Sequence, residues 1–138
     1  MSPKIKHSDG PEDTETAGAE LARRLTPGDV VLVSGELGSG KTTFVRGACR
    51  ALGVRVPVTS PTFTIGHVLP GSPEVAHLDL YRLGSLAAED PALLEDYLTP
   101  ERVAFLEWPA VAEPVLGRVT ARVLLEHEGG DRRRITVT

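Results

Sequence analysis

The stretch that decides the fold is VVLVSGELGSGKT, residues 30–42. Its first four residues are all apolar, as in a short parallel strand that is buried on both faces of a sheet. Residues 35–42 match the pattern G-x-x-x-x-G-K-[ST] at every position. Apolar residues at helical spacing follow as far as Leu52, and Gly53 is well placed to end that helix. Strand, glycine-rich loop and helix in this order predict a phosphate-binding loop.

Each residue type in the loop suits the chemistry of phosphate binding. Glycines let the backbone curl so that successive N–H groups point at phosphate oxygens, and the positive end of the following helix adds attraction. Lys41 supplies a mobile charge for the β- and γ-phosphates. Thr42 offers a hydroxyl to Mg²⁺, an ion that keeps several waters and needs only one or two protein ligands. The loop therefore predicts binding of a nucleotide together with Mg²⁺.

Length and composition favour one soluble domain, residues 1–138, with a loose N-terminal arm at residues 1–12. Hydrophobic residues make up 41% of the chain and charged residues 25%, which is typical of globular proteins. No apolar run approaches the roughly 20 residues that span a bilayer, and the N-terminus lacks the apolar segment of a secretory signal. A single cysteine excludes an intramolecular disulfide. Together these features favour a cytoplasmic protein without a membrane segment.

The charge balance argues against stable binding of nucleic acid by this chain alone. The net charge is −4, whereas such binding needs lysine and arginine to neutralise phosphates. The dense basic cluster is Arg132-Arg133-Arg134, which we interpret as a solvated strand edge.

The segments around the loop predict an α/β fold. Asp13 and Thr14 can cap a helix that runs to about Leu25. Residues 75–80 and 102–106 are strand candidates, a further strand ends near Leu69, and residues 85–98 are partly helical in pattern. Residues 119–127 and 132–137 flank the turn Glu128-Gly129-Gly130-Asp131, which predicts an antiparallel hairpin at the edge of the sheet.

A nucleotide hydrolase of this type needs a second acid near the metal, at the end of an apolar strand. Two segments qualify. In residues 75–80, alternation places His77 and Asp79 on the same, accessible side. In residues 103–107, an unbroken apolar run delivers Glu107, as expected for a central parallel strand. Ligands bind beyond the carboxyl ends of such strands, so the residues alone leave Asp79 and Glu107 as competitors.

A second loop, Thr59-Ser60-Pro61-Thr62, follows the phosphate-loop helix. In switch GTPases an equivalent loop offers a hydroxyl to Mg²⁺ and the γ-phosphate. Ser-Pro-Thr is also common turn chemistry, so this loop alone does not decide the function.

Five segments now lie in order along the chain: GELGSGKTTFVRG, SPTFTI, HLDLYRL, EDYL and FLEWP. The series resembles the TsaE (YjeE) family of small bacterial ATPases, which take part in the threonylcarbamoyl modification of adenosine in tRNA. The resemblance covers residues 35–110, and more weakly residues 11–33 and those beyond 119. It implies a P-loop NTPase-like three-layer fold with a mixed, mainly parallel sheet and an antiparallel edge hairpin.

The resemblance also implies an activity and partners. Members of the family bind ATP or ADP with Mg²⁺ and hydrolyse ATP slowly. They act with two proteins, TsaD and TsaB, and reach tRNA indirectly through that complex.

The roles of individual residues follow from the same resemblance. Thr42 and Glu107 would hold the metal. Lys41, Asp79 and Thr62 would carry catalytic roles, with Asp79 orienting the attacking water or organising the metal's water shell and Thr62 sensing the γ-phosphate. The family's tryptophan falls on Trp108, beside the metal acid. Independently of the resemblance, Arg82 is a candidate for stabilising charge in the site, with a surface salt bridge as the alternative. The nucleotide-binding set would be Pro11, Glu36, Leu37, Gly38, Ser39, Gly40, Lys41, Thr42, Thr43 and Arg132, with Pro11 and Arg132 beside the base.

Two other functions fit a phosphate-binding loop. A small-molecule kinase would need a lid and a region that binds the acceptor, and the sheet and phosphate-loop helix leave little chain for either. A nucleotide-gated binding module would use the ATP state to control docking, with hydrolysis incidental.

Overall fold

The computed structural model describes residues 3–60, 65–81, 83 and 91–138. Within these residues the helices are α1 (Pro11–Ala22) and α2 (Lys41–Ala51), and short 3₁₀ turns lie at Pro91–Leu93, Pro109–Val111 and Glu113–Val115. The strands are β1 (Lys4–Ser8), β2 (Val30–Gly35), β3 (Gly66–Leu69), β4 (Val75–Asp79), β5 (Val103–Glu107), β6 (Ala121–His127) and β7 (Arg133–Val137).

All of these strands join one sheet in the order β1-β7-β6-β2-β5-β4-β3. Strand β2 pairs in parallel with β5 and β6, and β4 pairs in parallel with β5. Antiparallel pairs complete both edges, β6 with β7 and β1 on one side and β4 with β3 on the other. The predicted α/β fold with a mixed sheet and an edge hairpin is confirmed, and antiparallel pairing extends to both edges.

The central strand is apolar on both faces because both faces are covered. Val31 and Val33 lie in the core under the helices, whereas Leu32 points to the opposite face. The core under the helices includes Ala17, Leu21, Val31, Val33, Phe44, Val45, Ala48, Cys49 and Phe105. The core on the other face includes Leu32, Ala76, Leu78, Leu80, Leu94, Leu106 and Ala112. Among the described residues, the layer over this second core consists of 3₁₀ turns and irregular segments.

Helices α1 and α2 pack with their backbones in contact. A Cβ atom on Gly18 would lie 2.1 Å from the carbonyl oxygen of Phe44, and one on Gly47 would lie 2.0 Å from that of Glu15. Any side chain at either position would force the helices apart. This contact brings the start of α1 beside the start of α2.

The prediction of a loose arm at residues 1–12 is wrong for residues 4–12, which include a paired strand and the start of a helix. Strand β1 pairs with β7, from Lys4 opposite Val137 to Ser8 opposite Arg133. Helix α1 begins at Pro11, where the missing proline N–H costs no hydrogen bond, and the carboxylate of Asp13 accepts the backbone N–H of Asp9 at 3.0 Å. The helix therefore starts before both predicted caps, Asp13 and Thr14, and ends at Ala22 instead of Leu25.

Other element boundaries differ from the predictions by small amounts. Strand β5 begins at Val103 and includes Glu107, and α2 ends at Ala51, with Gly53 following in a left-handed conformation at φ 80°. The helical pattern predicted for residues 85–98 lies partly outside the described residues, and Pro91–Leu93 is a 3₁₀ turn. No helix in the described part of the chain is both long and apolar enough to cross a membrane.

Candidate functional site

The phosphate-binding loop joins the end of β2 to the start of α2, at the carboxyl edge of the parallel strands. Gly40 occupies the N-cap position of α2 in the left-handed conformation, with φ 99°. A Cβ atom on Gly35 would lie 2.4 Å from Ser39 Oγ and 2.7 Å from the carbonyl oxygen of Leu125. Glycine is thus required at both positions for the loop to curl around the helix N-terminus.

Lys41 is held in place by backbone carbonyl groups of the loop and by an aromatic ring. Its ammonium donates to the carbonyl oxygens of Gly35 and Glu36, both at 2.8 Å, and lies 4.2 Å from the centroid of the Trp108 ring. Burial lowers the pKa of Lys41, and the nearby carboxylates of Glu107 and Asp79 partly oppose that shift. The cation thus stands between the loop and the acids at the strand ends.

Glu107 is the acid that reaches the loop. Thr42 Oγ1 donates to Glu107 Oε2 at 3.0 Å, lies 3.2 Å from Oε1, and is 2.9 Å from Ser60 Oγ. Asp79 lies opposite Glu107 in the register of β4 and β5, and its carboxylate accepts the backbone N–H of Tyr81 at 3.0 Å. Both acids therefore lie at the carboxyl ends of neighbouring strands, but it is Glu107 that contacts Thr42.

This arrangement suits Mg²⁺ better than a softer metal. A hydroxyl and a carboxylate converge at Thr42 and Glu107, and these are oxygen ligands of the kind that Mg²⁺ takes. Within the described residues, no group of three or more His, Cys, Asp or Glu side chains could hold a metal ion. The site fits an ion that keeps most of its waters.

A small cleft of about 120 Å³ lies beside the phosphate loop, next to the start of α1. Pro11 and Thr43, both predicted to bind nucleotide, line it. Arg132 is exposed on the β6–β7 turn while its neighbours Asp131 and Arg133 line the cleft, so its nucleotide contact stays a prediction. The lining residues are Gly10, Pro11, Thr14, Gly38, Gly40, Thr43, Asp131 and Arg133.

Arg133 holds the outer side of the phosphate loop, a role that the sequence analysis missed. Its guanidinium donates to the carbonyl oxygens of Gly38 and Ser39, both at 3.1 Å, and to those of Gly130 at 2.7 Å and Arg132 at 2.9 Å. The interpretation of this residue as part of a solvated strand edge is wrong. The contact joins residues more than 90 positions apart, so no local pattern signals it.

His77 is a second residue whose position was misjudged. Alternation with Asp79 suggested an accessible side chain, but His77 is fully buried at 0% exposure and its Nε2 lies 2.5 Å from Glu107 Oε2. Residues 75–78 of β4 are all buried, so His77 is not on a solvated surface, whereas Asp79 at the strand end is partly exposed. The shared face with Asp79 was the available signal, since it places His77 near the same strand ends.

The family described as "Threonylcarbamoyl adenosine biosynthesis protein TsaE" matches residues 8–135 of this chain. The chain belongs to the TsaE family. Among its relatives, the tRNA threonylcarbamoyladenosine biosynthesis protein TsaE of Bacillus subtilis is 36% identical over 93% of this chain and 80% of its own length. That of Streptomyces coelicolor is 40% identical over 88% of this chain and 86% of its own length.

A solved structure extends the likeness to the fold. The crystal structure of Bacillus subtilis YdiB superposes with a TM-score of 0.82 and 30% identity, and covers 99% of this chain and 84% of that chain. The resemblance to the TsaE family, which rested on five short segments, is therefore confirmed over nearly the whole sequence.

Some residues singled out by the sequence analysis lie outside the described part of the chain. These are Thr62, with its neighbour Pro61, and Arg82, so their roles stay predictions. Ser60, which is in the same loop and is described, lies within hydrogen-bond distance of Thr42.

Trp108 has a backbone conformation that is rare for a bulky residue. Its φ and ψ of 56° and 58° lie in the left-handed region, and its ring packs on Tyr81 with centroids 4.8 Å apart. Pro109 then begins a 3₁₀ turn that ends the strand. The strained backbone turns the ring over Lys41, at the functional end of the sheet.

Proposed function

We propose that this chain is an ATP-binding, weakly ATP-hydrolysing, Mg²⁺-dependent subunit required for threonylcarbamoyl modification of adenosine in tRNA. The observation that carries the proposal is the hydrogen bond from Thr42 Oγ1 to Glu107, which joins the phosphate loop to the end of β5. A hydroxyl and a carboxylate that converge at the start of α2 support the proposal that a nucleotide-bound metal is held there. The family's role, expressed in the names of its relatives, supplies the biological process.

The chain's own residues would divide the work of binding. Backbone N–H groups of residues 36–42 would hold the phosphates of ATP or ADP, and Lys41 would move from its backbone carbonyls to the β- and γ-phosphates. Thr42 and Glu107 would hold Mg²⁺, which neutralises charge on the phosphates when bound. Asp79 would orient the attacking water or organise the water shell of the metal, and Thr62 would sense the γ-phosphate.

Partners are part of the proposal. The chain would act in the cytoplasm with TsaD and TsaB and meet tRNA only through them. A groove of about 1120 Å³ beside the loop supports docking of another protein, because exposed apolar side chains line it. These include Leu37, Tyr81 and Leu124, with 65%, 55% and 41% exposure.

The test is restoration of the modification in cells. In a bacterium depleted of its own TsaE, this chain should restore threonylcarbamoyladenosine in tRNA, measured by mass spectrometry of digested tRNA. Lys41→Ala should not restore it and should lose tight ADP binding in calorimetry. Arg134→Ala is the matched control, since it removes a positive charge from an exposed pair with Glu126 and should behave as wild type. Failure of the wild-type chain to restore the modification contradicts the proposed process, and unchanged ADP affinity in Lys41→Ala contradicts the phosphate-loop assignment.

A further inference from the structure

We infer that His77 is a positioning residue, which fixes the orientation of the Glu107 carboxylate that meets Thr42. The inference rests on the proposed metal site and deepens it. His77 would touch neither nucleotide nor metal, and would act through Glu107.

Burial makes a fixed partner for Glu107 necessary. The glutamate is 2% exposed and the histidine is fully buried, so water cannot solvate the carboxylate on that side. A buried carboxylate is costly unless hydrogen-bond donors satisfy its oxygens. His77 Nε2 at 2.5 Å and Thr42 Oγ1 at 3.0 Å both contact Oε2.

These two contacts have different consequences for the carboxylate. Thr42 is on the phosphate loop and approaches both oxygens, at 3.0 Å and 3.2 Å. His77 is on β4, next to the strand that carries Glu107, and contacts Oε2. Because His77 and Thr42 both make their shorter contact with Oε2, Oε1 is the oxygen better placed to accept a hydrogen bond from a water or to coordinate a metal at the loop.

The second ring nitrogen indicates which atom carries the proton. His77 Nδ1 is buried and has no hydrogen-bond partner among the described residues. A buried N–H without an acceptor costs more than an unused lone pair, so the proton belongs on Nε2. His77 therefore donates to Glu107 from a ring that is fully buried.

The alternative is that His77 only fills space on the helix-covered face of the sheet, which it shares with Val75, and three variants separate the two roles. His77→Gln keeps an N–H donor at about the position of Nε2, whereas His77→Leu keeps the volume and removes the donor. His67→Leu is the matched control, since His67 lies directly opposite His77 on β3 and is half-buried.

The measurement is the gain in ADP affinity that Mg²⁺ provides, taken as the ratio of Kd in EDTA to Kd in excess Mg²⁺ by calorimetry. His77→Leu should lose roughly tenfold of this gain, within the range typical for groups that orient a metal ligand, while its Kd in EDTA changes by less than about twofold. His77→Gln and His67→Leu should keep the gain. Electron paramagnetic resonance of Mn²⁺ with ADP should show weaker metal binding in His77→Leu alone.

Each other outcome overturns the inference in a distinct way. If His77→Leu keeps the full gain, or loses affinity equally in EDTA and in Mg²⁺, His77 does not position the metal ligand. If the wild type shows no gain, or Glu107→Gln keeps it, the proposed metal site is wrong and the inference falls with it. If circular dichroism shows that His77→Leu does not fold, His77→Asn replaces it, because the shorter amide cannot reach Glu107; equal gains in the Asn and Gln variants then contradict the inference.

Discussion

Glu107 is a buried acid whose neighbours account for its position. Its carboxylate is almost completely buried, but His77 and Thr42 contact it and the Lys41 cation lies near it. A buried charge is tolerated when it is both paired and hydrogen-bonded, and Glu107 meets both conditions. The same neighbours tie the end of β5 to the phosphate loop, so structural and functional demands fall on one side chain.

Trp108 should report when Lys41 changes partners. The chain contains one tryptophan, and the Lys41 ammonium lies 4.2 Å from its ring centroid. If phosphates draw the cation away, the electrostatic environment of the indole changes, so we expect a saturable change in tryptophan emission on titration with ADP. Lys41→Ala should show a different starting emission and no change with ADP. A flat wild-type titration, at ADP concentrations that calorimetry shows to be saturating, would contradict this coupling.

The β6–β7 hairpin reaches the phosphate loop through Arg133. In loops of this kind the backbone N–H groups point at the anion, and here the carbonyl oxygens of Gly38 and Ser39 point at Arg133. A guanidinium on the carbonyls of Gly38 and Ser39 fixes those peptide planes and increases their polarity. We therefore expect the edge hairpin to support anion binding at the loop through these carbonyl contacts.

Replacing Arg133 should weaken binding of phosphate even when no base is present. For Arg133→Ala we expect roughly tenfold weaker binding of tripolyphosphate, near the lower end of what hydrogen bonds from a charged group contribute. Arg134→Ala removes the same charge from the next residue and should leave the affinity unchanged. Calorimetry with tripolyphosphate and ADP separates the roles, because weaker binding of ADP alone would make Arg133 a base contact.

The contact between α1 and α2 reverses the usual effect of a glycine-to-alanine change. Inside an ordinary helix this change adds roughly 1 kcal/mol of stability. In Gly47→Ala the new methyl group would meet the backbone of Glu15 at 2.0 Å, so we expect about 1–3 kcal/mol of destabilisation, as for overpacked cores. Thr16→Ala, on the exposed face of α1, is the control and should shift the urea unfolding midpoint little. Equal stability of Gly47→Ala and wild type would show that the helices can separate freely.

Local and long-range features differ in how well the sequence predicts them. The β2–loop–α2 unit was predictable because its apolar run, its glycines and Lys41 are consecutive. Strand β1 was not predictable, because residues 4–8 show no clear alternation of apolar and polar residues. Their pairing partner is β7, at the other end of the chain. Glu107 was found as one of two acids by its place at a strand end, whereas Arg133 and His77 act through contacts that only the folded chain brings together.

The site draws on most of the molecule. The central strands supply Glu107 and Asp79, α2 supplies Lys41 and Thr42, and the edge hairpin supplies Arg133. Ligand binding at such a junction should stabilise the fold as a whole, because any opening that separates these elements also breaks the site.

Cys49 offers a measure of that global stability. It is fully buried in the core beneath the helices, and burial raises the pKa of its thiol from 9.0 to about 12. The thiolate is the reactive form, so the folded protein should resist thiol reagents at neutral pH.

The folded state should therefore lose stability at alkaline pH, in part through Cys49. Unfolding returns the thiol to its ordinary pKa of 9.0, whereas the folded pKa is about 12. The unfolded chain releases this proton first, so the contribution of Cys49 is full below pH 9.0 and is lost progressively as the pH rises toward 12. Between about pH 8 and pH 10.5, the urea midpoint of the wild type should fall more than that of Cys49→Ala, since the other titrating groups are common to both. Parallel declines of the two urea midpoints would contradict this prediction, because they would show that the thiol ionises without unfolding. Rapid labelling by a thiol reagent at pH 8 without urea would show, contrary to the expected protection, that the thiol is accessible in the folded protein.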